Sequence, residues 1–261
     1  MRTTQNIIFL FALLVLGSSL SVSCVSLKSH LKLTHRSSNV IPIDAFAFVS
    51  VEEYAKPSKC LPSPREEECN AIIDSLPPAA RSGSGSGLLV WAKKKPVFLT
   101  AAHVCTSDLP DVYESQGIKF EIHKQQKISI RGQSGEFTPA EIIHIDQEKD
   151  LCALSVQKMD AAPVKISRRE PQIGDDVYAI SAPFGISAPT MNLIFAGKYA
   201  GKDGKWHFYT IPTRPGSSGS VVLDENFRAV GMLNAAFLDI EHVGLGAGHM
   251  DLVEFLSEIQ D

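Results

Sequence analysis

Short apolar runs separated by turn residues recur along the chain from about residue 45 to residue 233. Ala45–Val51 is rich in β-branched and aromatic residues and predicts a first strand. Repeated short strands at such spacing predict an all-β protein, built as a barrel or a sandwich. The further predicted strands are Leu88–Trp91, Val97–Thr100, Lys127–Ile130, Ile142–Ile145, Leu151–Val156, Asp176–Ile180, Leu193–Ala196, His207–Ile211, Val221–Leu223 and Ala229–Leu233.

Two segments depart from this pattern. Residues 52–82 mix proline, charge and glycine without an apolar period, which predicts a long surface insertion after the first strand. Residues 251–259 place Leu252, Val253, Leu256 and Ile259 at helical spacing, so the chain is expected to close with one helix.

The N-terminus has the layout of a signal peptide over residues 1–23, with Arg2, an apolar run from Ile7 to Leu16 and small residues up to Ser23. The run is shorter than the roughly 20 residues that a membrane span needs, which makes a permanent span the weaker alternative. Residues 24–44 are polar and predict a flexible leader or tether, with a removed prosegment as the alternative.

Cys24 follows small residues in a pattern that resembles the lipobox of bacterial lipoproteins, except that Ser21 stands where an aliphatic residue is usual. Lipid anchoring through Cys24 and ordinary cleavage near Ser23 both remain open. Either outcome predicts an exported domain, periplasmic or extracellular, and membrane contact is expected only through a lipid on Cys24.

Composition narrows the function classes. The net charge of -4 does not favour nucleic-acid binding, and 44% hydrophobic with 21% charged residues is typical of a globular domain. Cys60, Cys69, Cys105 and Cys152 form an even set, which in an exported chain suggests two disulfides. A zinc site is the rival, but no Cys-x-x-Cys pair and no cluster of histidines supports it.

The sharpest chemical motif is Arg214–Ser220, directly before the strand Val221–Leu223. Glycines flank Ser218 in a tight loop, as a nucleophilic serine requires, and the N–H groups of Gly216 and Ser218 can face one oxyanion. The alternative for the loop alone is a flexible surface turn.

A serine hydroxyl needs a base, usually a histidine oriented by a carboxylate. His103 follows a predicted strand, with a structural or surface histidine as the alternative. Asp150 enters an apolar strand, where a carboxylate needs a partner, and Asp146 is its rival. The order His, Asp, Ser is that of chymotrypsin-type enzymes, unlike subtilisins or α/β-hydrolases.

Taken together, these motifs resemble the trypsin-like peptidases, and within them the HtrA-like branch, over about residues 83–257. The resemblance implies two six-stranded antiparallel β-barrels, at about residues 45–160 and 165–248, within a peptidase domain at 45–261. It places His103 and Asp150 on the first barrel and Ser218 on the second. The matching segments are Gly83–Gly87, Phe98–Val104, Asp150–Leu154, Ile173–Val177, Ala182–Gly185, Pro215–Ser220 and Ala229–Met232.

The chain departs from the family in three ways. Ser220 stands where most members have a second glycine, the insertion at 52–82 has no evident counterpart, and the PDZ domain common in HtrA-like proteins is not expected after residue 261. Such relatives often form trimers, but the sequence does not decide the oligomeric state.

If Asp150 lies beside His103, Cys152 and Cys105 come close together. We therefore expect the disulfides Cys105–Cys152 and Cys60–Cys69. The alternative is that Cys152 is a buried apolar residue.

The family builds its substrate pocket from residues just before the nucleophile and from the strand after it, here including Thr213, Arg214, Leu233 and Asn234. No acid precedes Ser218 by six residues, because Pro212 stands there, so a preference for Arg or Lys is not expected. Thr213 matches glutamyl endopeptidases, but Leu233 replaces their pocket histidine. An apolar or small residue at the cleaved bond is expected, with a shift toward acidic residues if Arg214 points inward.

The sequence thus predicts a serine endopeptidase that acts on polypeptides and needs neither a metal nor an organic cofactor. The main rival is a catalytically silent binding protein with the same fold. Weaker rivals are a structural lipoprotein, an esterase and a strictly self-cleaving protease.

Overall fold

The computed structural model describes residues 40–115, 117–156, 159–237 and 240–259. The predicted signal peptide, Cys24 and the leader up to residue 39 lie outside these ranges. The described chain is built mostly from antiparallel strands that close into two barrels, followed by a helix. The predicted fold class is confirmed.

Six strands close the first barrel in the order β1-β2-β3-β7-β6-β5, because β1 also pairs with β5. Strand β4 pairs with β5 alone and lies outside the ring. The core of this barrel is formed by fully buried side chains such as Phe98, Leu99 and Leu154. The strands are β1 (Phe46–Cys60), β2 (Ala79–Ala92), β3 (Lys95–Thr100), β4 (Val112–Ser115), β5 (Ile118–Arg131), β6 (Phe137–Asp146) and β7 (Leu151–Val156).

The strands extend further into residues 52–82 than the sequence predicted. Strand β1 continues to Cys60 and β2 begins at Ala79, with Ala55 paired to Ala79. A short helix α1 (Glu66–Ile72) and a 3-10 turn (Ile73–Ser75) connect them. The outer part of β1 is largely exposed and carries few apolar residues, so it lacks the hydrophobic signal on which strand prediction depends.

The second barrel closes in the order β10-β13-β12-β11-β8-β9. Its core holds Tyr209, Ile211 and Leu233, all with 0% exposure. Strand β13 was not predicted, because two of its four residues are glycine, which is depleted in strands. The strands are β8 (Asp176–Ser181), β9 (Leu193–Asp203), β10 (Trp206–Tyr209), β11 (Ser220–Leu223), β12 (Ala229–Ala236) and β13 (Gly244–Ala247).

Two further helices complete the fold. Helix α2 (Ala102–Cys105) is a single turn directly after β3. Helix α3 (His249–Glu258) begins two residues before the predicted helix, and Asp251 caps it by accepting a hydrogen bond from the N–H of Gly248 at 2.7 Å. It buries Leu252, Phe255 and Leu256 against the core, so the predicted closing helix is confirmed.

Candidate active site

His103 lies on helix α2, where the chain leaves the buried strand β3. The flanking residues Ala102 and Val104 are buried, whereas the imidazole is 49% exposed. A strand that ends in one short helical turn therefore brings the ring to the surface, while its neighbours anchor it in the core.

Asp150 lies at the turn before β7 and contacts His103 directly. Its Oδ2 is 2.8 Å from imidazole Nδ1, and its Oδ1 accepts a hydrogen bond from the His103 backbone N–H at 2.9 Å. The φ of Asp150 is +55°, a left-handed conformation that costs a non-glycine residue about 1 kcal/mol or more. Such strain is found where the surrounding structure holds a functional side chain in place.

Asp146, the rival acid, has a different role. Its Oδ1 accepts hydrogen bonds from the N–H groups of Glu148 and Lys149, both at 2.9 Å, and Lys149 Nζ lies 3.3 Å from Oδ2. Burial raises the pKa of Asp146, but the bonds from Lys149 and Glu148 outweigh it, so the net pKa is lowered. Asp146 thus stabilises the turn that carries Asp150.

Gly85 on β2 lies between Ser218 and helix α2, close to both. A Cβ atom on Gly85 would lie 2.8 Å from a methyl carbon of Val104 and 3.0 Å from the Ser218 carbonyl oxygen, so only glycine allows this close approach. The Ser218 hydroxyl donates to the Asn234 carbonyl at 3.5 Å. Within the described part of the chain, the hydroxyl and the His103 ring share no direct hydrogen bond.

Two backbone carbonyl groups in the loop around Ser218 accept hydrogen bonds within the protein, and this fixes the direction of the N–H groups in the same peptides. The Pro215 carbonyl accepts from Phe184 N at 2.6 Å, and the Ser217 carbonyl accepts from Ser220 N at 3.0 Å. Because N–H and C=O of one trans peptide point in opposite directions, the N–H groups of Gly216 and Ser218 face the other way.

Among the described residues, neither of these N–H groups has a protein acceptor. Gly216 has a φ of +92°, which a side chain would oppose. The pair therefore forms a ready donor site for an oxyanion.

Asn234 links the serine loop to the turn of Asp150. Its side-chain amide donates to the carbonyl oxygens of Asp150 at 3.0 Å and Lys149 at 3.3 Å. The sequence placed Asn234 in the substrate pocket and did not indicate this bridge, because the two partners are 84 and 85 residues away.

The other predicted pocket residues differ in exposure. Thr213 and Leu233 are buried, and the position of a Cβ on Gly244 would lie 2.3 Å from Thr213 Oγ1 and 2.8 Å from Leu233 Cδ2. The Arg214 side chain is 43% exposed, and its Nη2 lies 4.0 Å from Glu241 Oε1. Its guanidinium therefore has an acidic neighbour at the surface.

Both expected disulfides are present. Cys105–Cys152 joins residues that each lie two positions after His103 or Asp150, and both cysteines have 0% exposure. Cys60–Cys69 connects the end of β1 to helix α1. The alternative in which Cys152 is an unpaired apolar residue is wrong.

Neither a cluster of metal ligands nor a membrane-spanning helix is found within the described ranges. No group of three or more His, Cys, Asp or Glu side chains there is arranged to hold a metal ion. No helix among those residues is long and apolar enough to span a membrane.

The family model described as a trypsin-like peptidase domain matches residues 85–232. A search of curated proteins returns no match.

Solved structures share the fold at low sequence identity. A serine endoprotease from Yersinia pestis superposes with a TM-score of 0.53 at 19% identity, over 83% of this chain. This chain spans 64% of the length of the Yersinia chain. Rv3671c from M. tuberculosis H37Rv, in an inactive serine-to-alanine form, gives a TM-score of 0.55 at 14% identity over 85% of this chain and 91% of that one.

Proposed function

Since the chain belongs to the trypsin-like peptidase family, we propose that it is a serine endopeptidase with His103, Asp150 and Ser218 as its catalytic triad. The observation that carries the proposal is the pair of hydrogen bonds between Asp150 and His103. The two N–H groups at Gly216 and Ser218, which have no acceptor among the described residues, support it from the other barrel.

In the proposed reaction, Ser218 Oγ attacks the carbonyl carbon of the scissile bond while His103 Nε2 takes the hydroxyl proton. Asp150 holds the proton on Nδ1 and stabilises the imidazolium that forms. The N–H groups of Gly216 and Ser218 bind the negative oxygen of the tetrahedral intermediate. His103 then protonates the leaving amine, the C–N bond breaks, and an ester remains on Ser218.

Hydrolysis of the ester repeats the sequence with water. His103 removes a proton from the water, which attacks the acyl carbon, and the same proton returns to Ser218 as the acid leaves. Each proton transfer is assigned to a protein group.

One adjustment precedes the attack. The Ser218 hydroxyl must rotate from the Asn234 carbonyl, where its 3.5 Å hydrogen bond is long, toward His103 Nε2. Catalytic hydrogen bonds are often long or misaligned without substrate and tighten in the complex.

We propose that the enzyme prefers an apolar or small residue on the acyl side of the cleaved bond. Thr213 and Leu233 lie close to Gly244 and limit the space beside β13. Arg214 has Glu241 as its acidic neighbour, which weakens the case for a preference for acidic residues. The substrates are polypeptides.

Export is part of the proposal. Two disulfides support an oxidising compartment, where such bonds persist. The predicted signal peptide at residues 1–23 would direct the chain there, with lipidation at Cys24 or cleavage near Ser23. Intact mass of the exported protein distinguishes them, because lipidation adds acyl chains to an N-terminal cysteine.

A second candidate is a silent binding protein with the same fold. The missing hydrogen bond between Ser218 and His103 is the observation that favours it. The two candidates differ in whether Ser218 reacts.

The test uses the full-length chain as wild type, Ser218→Ala and Ser155→Ala. Ser155 lies on β7, five residues after Asp150, and serves as the matched serine control. Each protein is treated with a fluorophosphonate probe and with unfolded casein, and the casein fragments are identified by mass spectrometry.

Labelling and cleavage by wild type and Ser155→Ala, but not by Ser218→Ala, support the endopeptidase. A folded wild type that neither labels nor cleaves favours the binding protein. Labelling without cleavage of casein, but with hydrolysis of a nitrophenyl ester, favours an esterase.

A further inference from the structure

Ser86 lies on β2 with 0% exposure, at a point where the first barrel contacts two loops of the second. Its hydroxyl makes two hydrogen bonds. It lies 2.8 Å from the Gly216 carbonyl oxygen and 2.9 Å from the Ala182 backbone nitrogen. One buried hydroxyl thus connects the serine loop to the loop that follows β8.

The direction of these bonds follows from the partners. A backbone N–H can only donate and a carbonyl oxygen can only accept, so Ser86 Oγ accepts from Ala182 and donates to Gly216. A serine hydroxyl has one hydrogen, and it is committed to Gly216. Both bonds are shielded from water, so no solvent competes for either partner.

The bond to Gly216 holds one end of the peptide between Gly216 and Ser217. The other end is held because Ser217 N donates to the Arg214 carbonyl at 2.8 Å. This peptide lies between the two that carry the N–H groups of the oxyanion site. A rotation of the Gly216 carbonyl would therefore turn the neighbouring peptides and misdirect both donors.

The bond from Ala182 acts on the same loop from its other side. Ala182 begins the turn Pro183–Gly185, in which Phe184 has a φ of +54° and donates its N–H to the Pro215 carbonyl. That bond sets the peptide that carries the Gly216 N–H. Ser86 therefore supports the serine loop twice, directly at Gly216 and indirectly through this turn.

Ser86 is itself fixed by its backbone. Its N–H donates to the Ser218 carbonyl at 2.8 Å, and its carbonyl accepts from the Thr100 hydroxyl at 2.8 Å. The side chain consequently projects from a backbone that is bonded on both sides, and few other orientations are open to the hydroxyl.

We infer that Ser86 is a positioning residue that holds the oxyanion site of Gly216 and Ser218 open before substrate binds. This inference rests on the proposed peptidase activity. Alanine at this position would leave the Ala182 N–H and the Gly216 carbonyl buried without partners, which favours rotation of the serine loop. The cost would fall on transition-state stabilisation, because the oxyanion donors contribute mainly there.

The experiment compares Ser86→Ala with two controls in the full-length chain. Ser181→Ala removes a buried hydroxyl that has no hydrogen-bond partner among the described residues and directly precedes Ala182. Tyr209→Phe removes a buried hydroxyl that donates to Ala247, away from the serine loop. Thermal melts first identify a temperature at which all variants are folded.

At that temperature, the second-order rate of fluorophosphonate labelling is measured from pH 5 to pH 9, because phosphonylation places an oxygen in the oxyanion site. Ser86→Ala is expected to lower the plateau rate about 10- to 100-fold, somewhat less than removal of a donor itself. The midpoint of the profile should not move, since His103 and Asp150 are untouched. Both controls should retain the wild-type plateau, including Tyr209→Phe if it melts earlier.

Equal plateaus for Ser86→Ala and wild type would overturn the inference while leaving the proposed function intact. An equal loss in Tyr209→Phe would also overturn it, by assigning the effect to stability. A wild type that does not label would contradict the proposed function, and the inference with it. If Ser86→Ala does not fold, Ser86→Cys, which keeps a weak donor and acceptor at this position but weakens both hydrogen bonds, is measured in its place.

Discussion

The Asp150 carboxylate bonds His103 at two points, with Oδ2 at 2.8 Å from imidazole Nδ1 and Oδ1 at 2.9 Å from the backbone nitrogen. The backbone bond fixes the plane of the carboxylate, and the second oxygen then fixes the ring. A carboxylate can only accept, so Nδ1 carries a proton in this contact and Nε2 is the nitrogen available to act as the proposed base.

Asp150→Asn is expected to lower kcat roughly 10⁴-fold, because an amide placed at Nδ1 can donate to it and favour the wrong imidazole tautomer. Hydrolysis of casein, with melts to verify folding, measures this. Asp146→Asn is the comparison, since its side-chain oxygen still accepts the N–H bonds of Glu148 and Lys149. Greater loss in Asp146→Asn would assign the third catalytic role to Asp146.

The two disulfides are expected to differ in their effects. Replacing Cys105 and Cys152 by alanine should lower the free energy of unfolding by about 4 kcal/mol, because this bond closes the longer loop. It should also reduce activity, since the bond joins the segments of His103 and Asp150.

Replacing Cys60 and Cys69 by alanine should cost less, about 3 kcal/mol for the shorter loop, and leave activity unchanged. Urea unfolding and casein hydrolysis measure both pairs. Loss of activity in the second pair, at a temperature where it is folded, would contradict this separation.

Glycines on β2 should differ sharply in their tolerance of a methyl group. A Cβ on Gly87 would lie 2.3 Å from the Phe98 ring and 2.7 Å from the Leu99 carbonyl, so Gly87→Ala should destabilise the fold by about 3 kcal/mol. Gly83 has open space at the same position, and Gly83→Ala should stabilise it by about 0.5 kcal/mol through the unfolded chain. Urea midpoints of the two variants test the contrast, and similar midpoints would refute it.

His207 is expected to make stability depend on pH. Burial lowers its pKa, only partly offset by the Asp251 carboxylate, and its Nδ1 lies 2.9 Å from the Tyr199 hydroxyl. The unfolded chain therefore binds the proton first as pH falls. The contribution of neutral His207 to the free energy of unfolding is complete above the unfolded pKa of about 6.5. It decreases as pH falls below that value, down to the folded pKa.

Urea midpoints at pH 7.5 and pH 5 should thus differ more for wild type than for His207→Gln, which does not titrate. Subtracting the pH-dependent change in His207→Gln from that in wild type removes the contribution of the other histidines, which the two proteins share. An equal pH dependence in the two proteins would show that the His207 pKa is not lowered by folding.

Much of the fold could be predicted from the sequence, because a run of apolar residues within a short segment indicates that the side chains of that segment are buried. β7 (Leu151–Val156) was predicted at its exact ends, since all its described side chains but Ser155 are fully buried. Strands β4 and β13, the first half of β5 and the outer parts of β1 and β2 were missed, because these segments hold glycine or exposed residues and pair through the backbone with little apolar signal.

The residues of the candidate site also fall into two groups, those that the sequence indicated and those that it did not. His103, Asp150 and Ser218 stand in short motifs whose residue types indicate their chemistry, so the sequence by itself determined which residues to propose. Ser86 lies within the matching segment Gly83–Gly87 and Asn234 among the predicted pocket residues, but neither position indicates the hydrogen bonds that these side chains make.

Only the tertiary structure decided those two roles. Ser86 reaches Gly216 across 130 positions, and Asn234 reaches Asp150 across 84. Their hydrogen bonds depend on how the loops of one barrel face the strands and turns of the other. Sequence periodicity records which face of a strand is buried, whereas the partner across the interface is set by strand register and barrel closure.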